Sequence, residues 1–388
     1  MFSIANAFIE KRWLEALSRL EFGTLEFVAP DGSVHIAKGA EPGPSARFQI
    51  REWDVLRRVV QRGDIALGED YVEGAWQTDD IEKLISLFLL NMGVFAGYSH
   101  GGFFNRMALV VSDRFLRRNS LQGSRRNIEA HYDVGNEFYA LWLDQSMTYS
   151  SALFGGATNS LEAAQTNKYD RILSRLSRGE SVLEIGCGWG GFAERASQHG
   201  QHVTGLTISP SQHRFAVERL KGAADILLED YRKAKGVFDN IVSIEMFEAV
   251  GEQYWPQYFR AVAERLRRGG KALVQTITIR DELFAEYRLR SDFIRHYVFP
   301  GGMLPSLRRF QEEAERAGLK VVDAFAFGRD YAETLREWSV RMQAKTAEIK
   351  AMGHDDRFLR NWQYYLAICA AAFQVGRTDV VQVELMHA

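Results

Sequence analysis

Cysteine is nearly absent from this chain of 388 residues, and so is any excess of charge. Its two cysteines, Cys187 and Cys369, lie far apart and cannot build a disulfide framework or a cysteine-rich zinc site. We therefore expect reduced thiols, a cytoplasmic protein and no metal. The 48 basic and 50 acidic residues leave a formal net charge of −2, which excludes a polycationic protein that binds nucleic acid.

Long apolar runs are missing as well. The longest, Leu84 to Tyr98, is interrupted by polar residues and glycines, and it is shorter than the roughly 20 residues that a membrane-spanning helix needs. The first residues mix Glu10, Lys11 and Arg12 with apolar side chains, which is typical of an amphipathic helix rather than of a secretory signal. We expect a protein that is soluble or at most lies on a membrane surface.

The composition changes twice along the chain, which predicts three segments. In 1–110, turn signals such as Pro30-Asp31-Gly32 separate short strands and a helical pattern follows, so we expect a small mixed α+β domain. Residues 111–127 predict a basic linker, because arginines outnumber the single acid Asp113; they are Arg114, Arg117, Arg118, Arg125 and Arg126. Residues 128–388 predict the larger, catalytic domain.

Strands and helices alternate through this larger domain, which predicts an α/β fold with a parallel sheet covered by helices. The pattern gives seven strands, at Ser181–Ile185, His202–Ile208, Asp225–Leu228, Phe238–Glu245, Ala272–Ile277, Lys320–Phe327 and Val380–Leu385. One helix start is unusually clear: Ser209 can cap, Pro210 occupies the first helical position, and Gln212 can complete a capping box.

A glycine-rich turn joins the first of these strands to a helix, in the sequence Leu183-Glu184-Ile185-Gly186-Cys187-Gly188-Trp189-Gly190-Gly191. Its spacing also satisfies the dinucleotide fingerprint, which would place an acid at the end of the next strand. That strand ends without one. Glu184 instead precedes the glycines, where a carboxylate can lie near the amino end of an amino-acid-like ligand, and this favours S-adenosylmethionine. A turn with no ligand is the remaining alternative.

Several separate segments together resemble the cyclopropane-fatty-acyl-phospholipid synthase family, which includes the mycolic acid cyclopropane synthases. They are His131-Tyr132-Asp133-Val134-Gly135-Asn136, Met147-Thr148-Tyr149-Ser150-Ser151, the glycine turn, Leu206-Thr207-Ile208-Ser209 with Gln212, Met246-Phe247-Glu248-Ala249-Val250-Gly251, Phe299 to Ser306, Asp330-Tyr331, and Trp362 to Phe373. The likeness covers about 127 to the end. The first domain, with Leu67-Gly68-Glu69-Asp70-Tyr71, is similar to the phospholipid-acting branch and is expected to associate with lipid.

The resemblance implies a class I S-adenosylmethionine-dependent methyltransferase fold, with a seven-stranded Rossmann-like sheet, that methylates an isolated alkene in a lipid acyl chain. It implies cofactor contacts at Tyr149, Ser150, Glu184, Gly186, Gly188, Gly190, Thr207, Ser209, Gln212, Asp230, Tyr231 and His131. Family members also hold a bicarbonate ion at the reacting centre. The corresponding catalytic residues here are Glu248, Tyr331, Gln275, Ser151 and Ile277. Whether bicarbonate is present is left open.

Two departures bear on the product. Ser151 stands where many members have cysteine, and Gln275 stands where they have histidine. Glutamine can donate a hydrogen bond to an anion but cannot carry a proton. We expect cyclopropane formation on the cis double bond of unsaturated phospholipid acyl chains, with a methyl- or methylene-branched chain as the alternative. A lipid-binding module with a degenerate cofactor site and a nicotinamide-dependent oxidoreductase are more distant alternatives.

The expected chemistry also needs an apolar channel, because water would capture the cation that methylation leaves on the chain. Aromatic candidates are Phe284, Tyr287, Phe293, Tyr297, Phe299, Trp338, Trp362, Tyr364, Tyr365 and Phe373. The arginine-rich linker predicts peripheral binding to the inner face of the membrane, since each basic side chain adds on the order of 1 kcal/mol of attraction to anionic lipid. A solvated linker is the other interpretation. A homodimer is left open.

Overall fold

The computed structural model describes residues 2–95, 134–155 and 160–388. The chain divides into two compact units. The first unit takes its residues from 1–113, 289–298 and 346–375, and the second takes them from 114–288, 299–345 and 376–388. None of the helices in the described ranges is long and apolar enough to cross a membrane.

Helices and strands are numbered along the described residues. The strands are β1 (Phe22–Val28), β2 (Val34–Lys38), β3 (Glu41–Ile50), β4 (Trp76–Gln77), β5 (Ser181–Ile185), β6 (His202–Thr207), β7 (Asp225–Leu228), β8 (Phe238–Ile244), β9 (Leu266–Ile279), β10 (Leu319–Ala326) and β11 (Thr378–His387). The helices are α1 (Phe2–Leu17), α2 (Asp54–Arg62), α3 (Asp64–Val72), α4 (Ile81–Leu90), α5 (Asn136–Ala140), α6 (Leu161–Arg175), α7 (Gly191–Gln198), α8 (Pro210–Leu220), α9 (Trp255–Arg265), α10 (Asp281–Tyr287), α11 (Leu307–Arg316), α12 (Gly328–Ala344), α13 (Thr346–Ala351) and α14 (Asp356–Gln374).

An aromatic core holds the first unit together. Its sheet has the strand order β2-β1-β3-β4. Trp13 of α1 packs on Phe27 and Phe48 of this sheet, with ring centroids 5.5 and 6.0 Å apart. Phe48 also meets Trp76, edge to face, at 5.4 Å. These rings are buried, and removing each from water stabilises the unit by roughly 1.5–3 kcal/mol.

Helix α14 completes this core although it lies near the end of the sequence. Tyr364 stacks on Tyr71 at 5.6 Å and meets Trp76 at 6.3 Å. Residues 289–298 belong to the same unit, where Phe293 packs on Tyr364. The sequence assigned both segments to the domain at 128–388, and the structure instead packs them with the N-terminal residues. The predicted boundaries at 110 and 127 lie outside the described residues and stay a prediction.

The second unit contains the predicted seven-stranded sheet, in the order β10-β11-β9-β8-β5-β6-β7. Strands β5 to β9 run parallel, and β11 pairs antiparallel with both β9 and β10. All seven predicted strands are confirmed, and β9 extends beyond its prediction at both ends. The turns after β5, β6 and β8 therefore lie at one edge of the sheet, where the carboxyl ends of parallel strands bind ligands.

Gly68 in α3 tests the packing of the first unit. A Cβ atom there would lie 2.3 Å from Phe293 Cδ2 and 2.7 Å from Tyr364 Cε1. Because both rings are buried and cannot move away freely, Gly68→Ala should destabilise the protein by about 1–3 kcal/mol, the usual effect of overpacking. Thermal unfolding measures the change. Gly93→Ala is the matched control, since a Cβ at Gly93 meets nothing within 4 Å. Equal melting temperatures for the two variants would contradict this packing.

Candidate active site

The glycine turn after β5 has the geometry of a ligand-binding loop. Gly186, Gly188 and Gly190 have φ angles of 84°, 53° and 84°, a region that side chains disfavour. A Cβ on Gly186 would lie 2.7 Å from Met246 Cγ, whereas one on Gly188 would meet nothing within 4 Å. The first glycine is thus needed for close packing, and the second leaves open space beside the turn.

Glu184 lies one residue before the end of β5 and is 2% exposed. Its Oε2 atom is buried and has no hydrogen-bond partner among the described residues. Burial raises the pKa of this carboxyl to about 8. A buried carboxylate oxygen without a partner suits a positively charged ligand group, so Glu184 and the open turn fit the amino end of S-adenosylmethionine. The contact itself stays a prediction.

The predicted cap at Ser209 is confirmed, but Gln212 acts differently from the prediction. Ser209 Oγ accepts from the backbone N–H of Gln212 at 3.3 Å, and Pro210 begins the helix. The side chain of Gln212 does not return to Ser209. Its Oε1 accepts from Thr207 Oγ1 at 3.0 Å, and the same hydroxyl accepts from Ser209 N at 3.2 Å. These three predicted cofactor residues are therefore adjacent, at the carboxyl end of β6.

Asp230 and Tyr231 follow β7, and the structure gives both of them protein partners. The Asp230 carboxylate accepts from Arg232 Nε at 2.8 Å and from its Nη2 at 2.6 Å, and it also caps the short turn that follows. The Tyr231 ring packs on Tyr258 at 5.6 Å. Their cofactor contact stays a prediction. His131 lies outside the described residues.

A buried lysine that the sequence analysis missed lies beside Ser150. Lys168 is 0% exposed, and its Nζ donates to Ser150 Oγ at 2.7 Å. Burial lowers the pKa of this amine to about 7. A signal for it exists in the sequence, because the buried stripe of α6 (Leu161, Ala164, Gln165, Lys168 and Ile172) places Lys168 at helical spacing with apolar residues.

Three predicted catalytic residues converge on one carboxylate, that of Glu245. Its Oε1 accepts from the backbone N–H of Ser151 at 2.8 Å and from Gln275 Nε2 at 2.7 Å. Its Oε2 accepts from the hydroxyl of Tyr331 at 2.6 Å. Burial raises the pKa of Glu245, while the Tyr331 hydrogen bond and the charge of Lys168 lower it. Glu245 was missed because the segment that carries the resemblance begins one residue later.

Two further contacts hold Ser151 in place. The N–H of Ala152 donates to Thr334 Oγ1 at 3.0 Å, and the N–H of Phe154 donates to Asp330 Oδ2 at 2.9 Å. Both acceptors lie on α12, which also carries Tyr331. The loop and the helix therefore bring their donors to Glu245 as one fixed arrangement.

Glu248 lies one short turn beyond Glu245 and faces other partners. Its Oε1 accepts from the backbone N–H of Ile277 and from Thr276 Oγ1, while its buried Oε2 has no partner among the described residues. Burial, followed by the charge of Glu245, raises the pKa of Glu248 to about 8. Glu248 and Ile277 are thus together, as expected, but Glu248 does not meet Gln275 or Tyr331.

Bicarbonate does not fit this arrangement. The resemblance implies that Gln275, Tyr331 and a backbone amide donate hydrogen bonds to that ion. In this structure the Glu245 carboxylate accepts those hydrogen bonds, from Gln275, from Tyr331 and from the backbone N–H of Ser151. In the described part of the chain, no group of three or more His, Cys, Asp or Glu side chains could hold a metal ion.

The aromatic candidates for the channel do not form one group. Trp338 is fully buried beside Tyr149, with ring centroids 5.2 Å apart, and Phe284 is buried beside Trp255. Tyr287 and Phe299 also belong to the second unit. The first unit instead contains Phe293, Tyr297, Trp362, Tyr364, Tyr365 and Phe373.

Glu248 predicts a pH dependence of stability. Its carboxyl has a pKa of about 8 in the folded protein, well above that of an ordinary glutamate, so the folded state binds more protons between about pH 4.5 and pH 8. The contribution of Glu248 to the free energy of unfolding is fully present below that window and is lost as the pH rises through it. Glu248→Gln should remove this loss. The melting temperature of the variant relative to wild type should therefore be about 2–4 °C higher at pH 8 than at pH 5.

The measurement is thermal unfolding at several pH values, without ligand. Glu333→Gln is the control, because this glutamate is exposed and pairs only with Arg336 at 3.2 Å among the contacts resolved here. Parallel melting curves for wild type and Glu248→Gln across the pH range would contradict the raised pKa.

Comparison with known proteins identifies the family of this chain. A family model described as mycolic acid cyclopropane synthetase matches residues 119–383. The tuberculostearic acid methyltransferase UfaA1 of Mycobacterium tuberculosis is 35% identical over 381 residues, which cover 94% of this chain and 88% of that protein. The cyclopropane-fatty-acyl-phospholipid synthase of Escherichia coli K12 is 36% identical over 343 residues, which cover 87% of each chain.

Solved structures agree as well. The cyclopropane synthase MmaA2 from Mycobacterium tuberculosis matches with a TM-score of 0.63 and 30% identity, over 67% of this chain and 97% of that one. The mycolic acid cyclopropane synthase CmaA1, complexed with SAH and CTAB, matches with a TM-score of 0.63 and 32% identity over the same shares. The predicted family and the class I methyltransferase fold are confirmed. The chain belongs to the mycolic acid cyclopropane synthetase family and is an S-adenosylmethionine-dependent methyltransferase.

Proposed function

We propose that this enzyme methylates the cis double bond of unsaturated phospholipid acyl chains. The observation that carries the proposal is the Glu245 carboxylate, held by Ser151, Gln275 and Tyr331 at the edge of the sheet where the glycine turn also lies. The Escherichia coli relative, a cyclopropane-fatty-acyl-phospholipid synthase, matches across both units, which supports a phospholipid substrate. The bound cofactor supplies an electrophilic methyl group on a sulfonium centre.

The residues around the turn would bind and shield the reactants. Glu184 offers the amino group of the cofactor a buried carboxylate oxygen that has no partner in the described part of the chain. Tyr149 and Trp338 form an aromatic wall next to Ser150. Such rings exclude water, and their faces stabilise a nearby cation by roughly 0.5–2 kcal/mol. Both properties matter because methylation of one alkene carbon leaves the other with a positive charge.

Glu245 is the group proposed to end the reaction. When the new carbon–carbon bond forms, the carbon–sulfur bond breaks and the acyl chain becomes cationic, so a proton must leave to restore a neutral chain. The Glu245 carboxylate accepts that proton. Glu248, three residues on, has a pKa of about 8 and is mostly protonated at neutral pH, so it adds little negative charge beside the Glu245 carboxyl.

The product depends on which proton leaves. Loss from the new methyl group closes a cyclopropane ring, which is the product named for the Escherichia coli relative. A hydride shift that moves the positive charge to the methylated carbon, followed by loss of a proton from the methyl group, gives a methylene-branched chain, and loss from a neighbouring chain carbon gives a methyl-branched alkene. A specific observation favours this second candidate: Glu245 and the neutral amide of Gln275 replace the bicarbonate and histidine of the family pattern, so the base differs from that of the cyclopropane-forming members. The methyltransferase relative, which covers 94% of this chain, adds support.

We also propose that the enzyme works at the inner membrane face as a peripheral protein. The basic linker at 111–127 is the sequence feature that supports this, and it lies outside the described residues.

Product analysis tests the reaction. The purified enzyme is incubated with cofactor labelled with ¹³C in its methyl group and with anionic vesicles of a monounsaturated phospholipid, which are then floated and extracted. We expect label in the acyl chain, and NMR separates ring, methylene and methyl carbons. Vesicles of the saturated phospholipid with the same headgroup are the control. Unlabelled chains, despite cofactor binding by calorimetry, would refute the proposal, and failure to float would refute membrane binding.

Glu245→Gln tests the base. The amide keeps the size of the side chain but cannot accept the proton, so turnover should fall by about 10²-fold or more while cofactor affinity is unchanged. Glu252→Gln, which removes an acid paired with Arg288 outside this cluster, is the control. Depletion of bicarbonate from the buffer should leave wild-type turnover unchanged. Activity that persists in Glu245→Gln, or that needs added bicarbonate, would contradict the assignment.

A further inference from the structure

Gln275 is itself held by a line of side chains that leads away from the site. Its Oε1 accepts from Gln382 Nε2 at 3.0 Å, and Gln382 Oε1 accepts from Arg171 Nη1 at 2.6 Å. The sheet register places Gln382 on β11 directly opposite Gln275 on β9. Both glutamines are 1% exposed, so water has little access to either amide.

The groups at the two ends of this line determine how the two glutamine amides are oriented. The oxygen and nitrogen of an amide are nearly the same size, so its neighbours determine which way it faces. Arg171 has only donors, so Gln382 must turn its oxygen toward Arg171 and its nitrogen toward Gln275. Gln275 then accepts with its oxygen and donates with its nitrogen. At the other end the Glu245 carboxylate, which can only accept when ionised, requires the same direction.

Arg171 is well anchored for this task. Its guanidinium carbon lies 3.9 Å from the centroid of the Phe325 ring, and its Nη2 lies 3.5 Å from Asp323 Oδ2. The side chain is 19% exposed. Its neighbour Arg175, one turn along α6, pairs with Glu384 at 2.9 Å and also reaches Asp323 Oδ2 at 3.4 Å, but it has no hydrogen bond to Gln382 in the described part of the chain.

We infer that Arg171 and Gln382 are positioning residues that keep the amide nitrogen of Gln275 turned toward Glu245. This inference rests on the role proposed above for Glu245. If Gln275 turned over, its oxygen would face a carboxylate oxygen at 2.7 Å, and Glu245 would lose one of its three donors. A histidine could meet Glu245 with a ring N–H, whereas glutamine needs its orientation imposed.

The other charged and titratable groups that face Glu245 come from different elements. They are the Tyr331 hydroxyl on α12, Lys168 on α6 and Glu248 in the turn after β8. The substitutions below leave all three unchanged. Arg171→Met and Gln382→Glu do change a charge, and the Gln275→Leu background below separates that direct effect on the Glu245 pKa from the part that Gln275 carries.

Two substitutions interrupt the line and two serve as controls. Arg171→Met removes the donor, and Gln382→Glu keeps the size but provides only acceptors, so Gln275 should turn over to donate to it. Arg171→Lys retains a donor and should preserve the wild-type behaviour. Arg175→Met removes a neighbouring arginine that lies outside the line.

The readout is the pKa of the Glu245 carboxyl in the protein without substrate, from an infrared pH titration with the Glu245→Gln spectrum subtracted. Because hydrogen bonds to the ionised form lower a carboxyl pKa, Arg171→Met and Gln382→Glu should each raise it by about one unit. In the methyl-transfer assay, the acid limb of kcat should move by the same amount, so kcat on that limb should fall by roughly ten-fold at a given pH, with KM unchanged.

In a Gln275→Leu background, Arg171→Met and Gln382→Glu should change the pKa of Glu245 little further, because the line of side chains then no longer reaches Glu245. Additive effects there, or titrations that match Arg175→Met, would overturn the inference. If Arg171→Met does not fold, Gln382→Glu carries the test alone. The titration needs no substrate. An inactive wild type would therefore refute the proposed function, whereas the titration alone would still decide whether Arg171 and Gln382 position Gln275.

Discussion

One carboxylate, accepting from three distant parts of the chain, organises the site. Glu245 lies in the turn after β8 and brings together the loop at Ser151, the strand at Gln275 and the helix at Tyr331. A partly buried carboxylate is stable only when its lost water is replaced by donors, so these three segments must meet there with accurate geometry. Its backbone has a φ angle of 50°, an uncommon value for a glutamate, which shows how strongly the surrounding bonds impose this position.

The charges around this carboxylate suit a cationic ligand. Glu184 and Glu248 both have pKa values near 8 because of burial, and Lys168 has its pKa lowered to about 7 for the same reason. These groups therefore lie close to neutrality in the protein without ligand. A positive charge that enters the site favours the ionised carboxylates, so the residues can respond to a sulfonium or an acyl cation without a permanent excess of buried charge.

Local patterns in the sequence predicted the sheet well and the site only in part. The seven strands follow from alternation of apolar runs and turns, and the cap at Ser209 follows from its neighbours Pro210 and Gln212. The resemblance, and no local pattern, pointed to Gln275, Tyr331 and Ser151, which the structure brings to one carboxylate. Their common partner was not predicted, because a glutamate with positive φ has no local signature. Neither does the line from Arg171 through Gln382, which exists only once β9 and β11 pair.

The first unit shows a different limit, since its core combines α3 and β4 with Phe293 and α14, which are remote in the sequence. Helical periodicity identifies α14 but does not reveal its partner. This discontinuity has a consequence for modularity. The chain leaves the first unit and returns to it twice. Truncation of the N-terminal residues alone would therefore leave the aromatic face of α14 without the rings of Tyr71 and Trp76 that cover it.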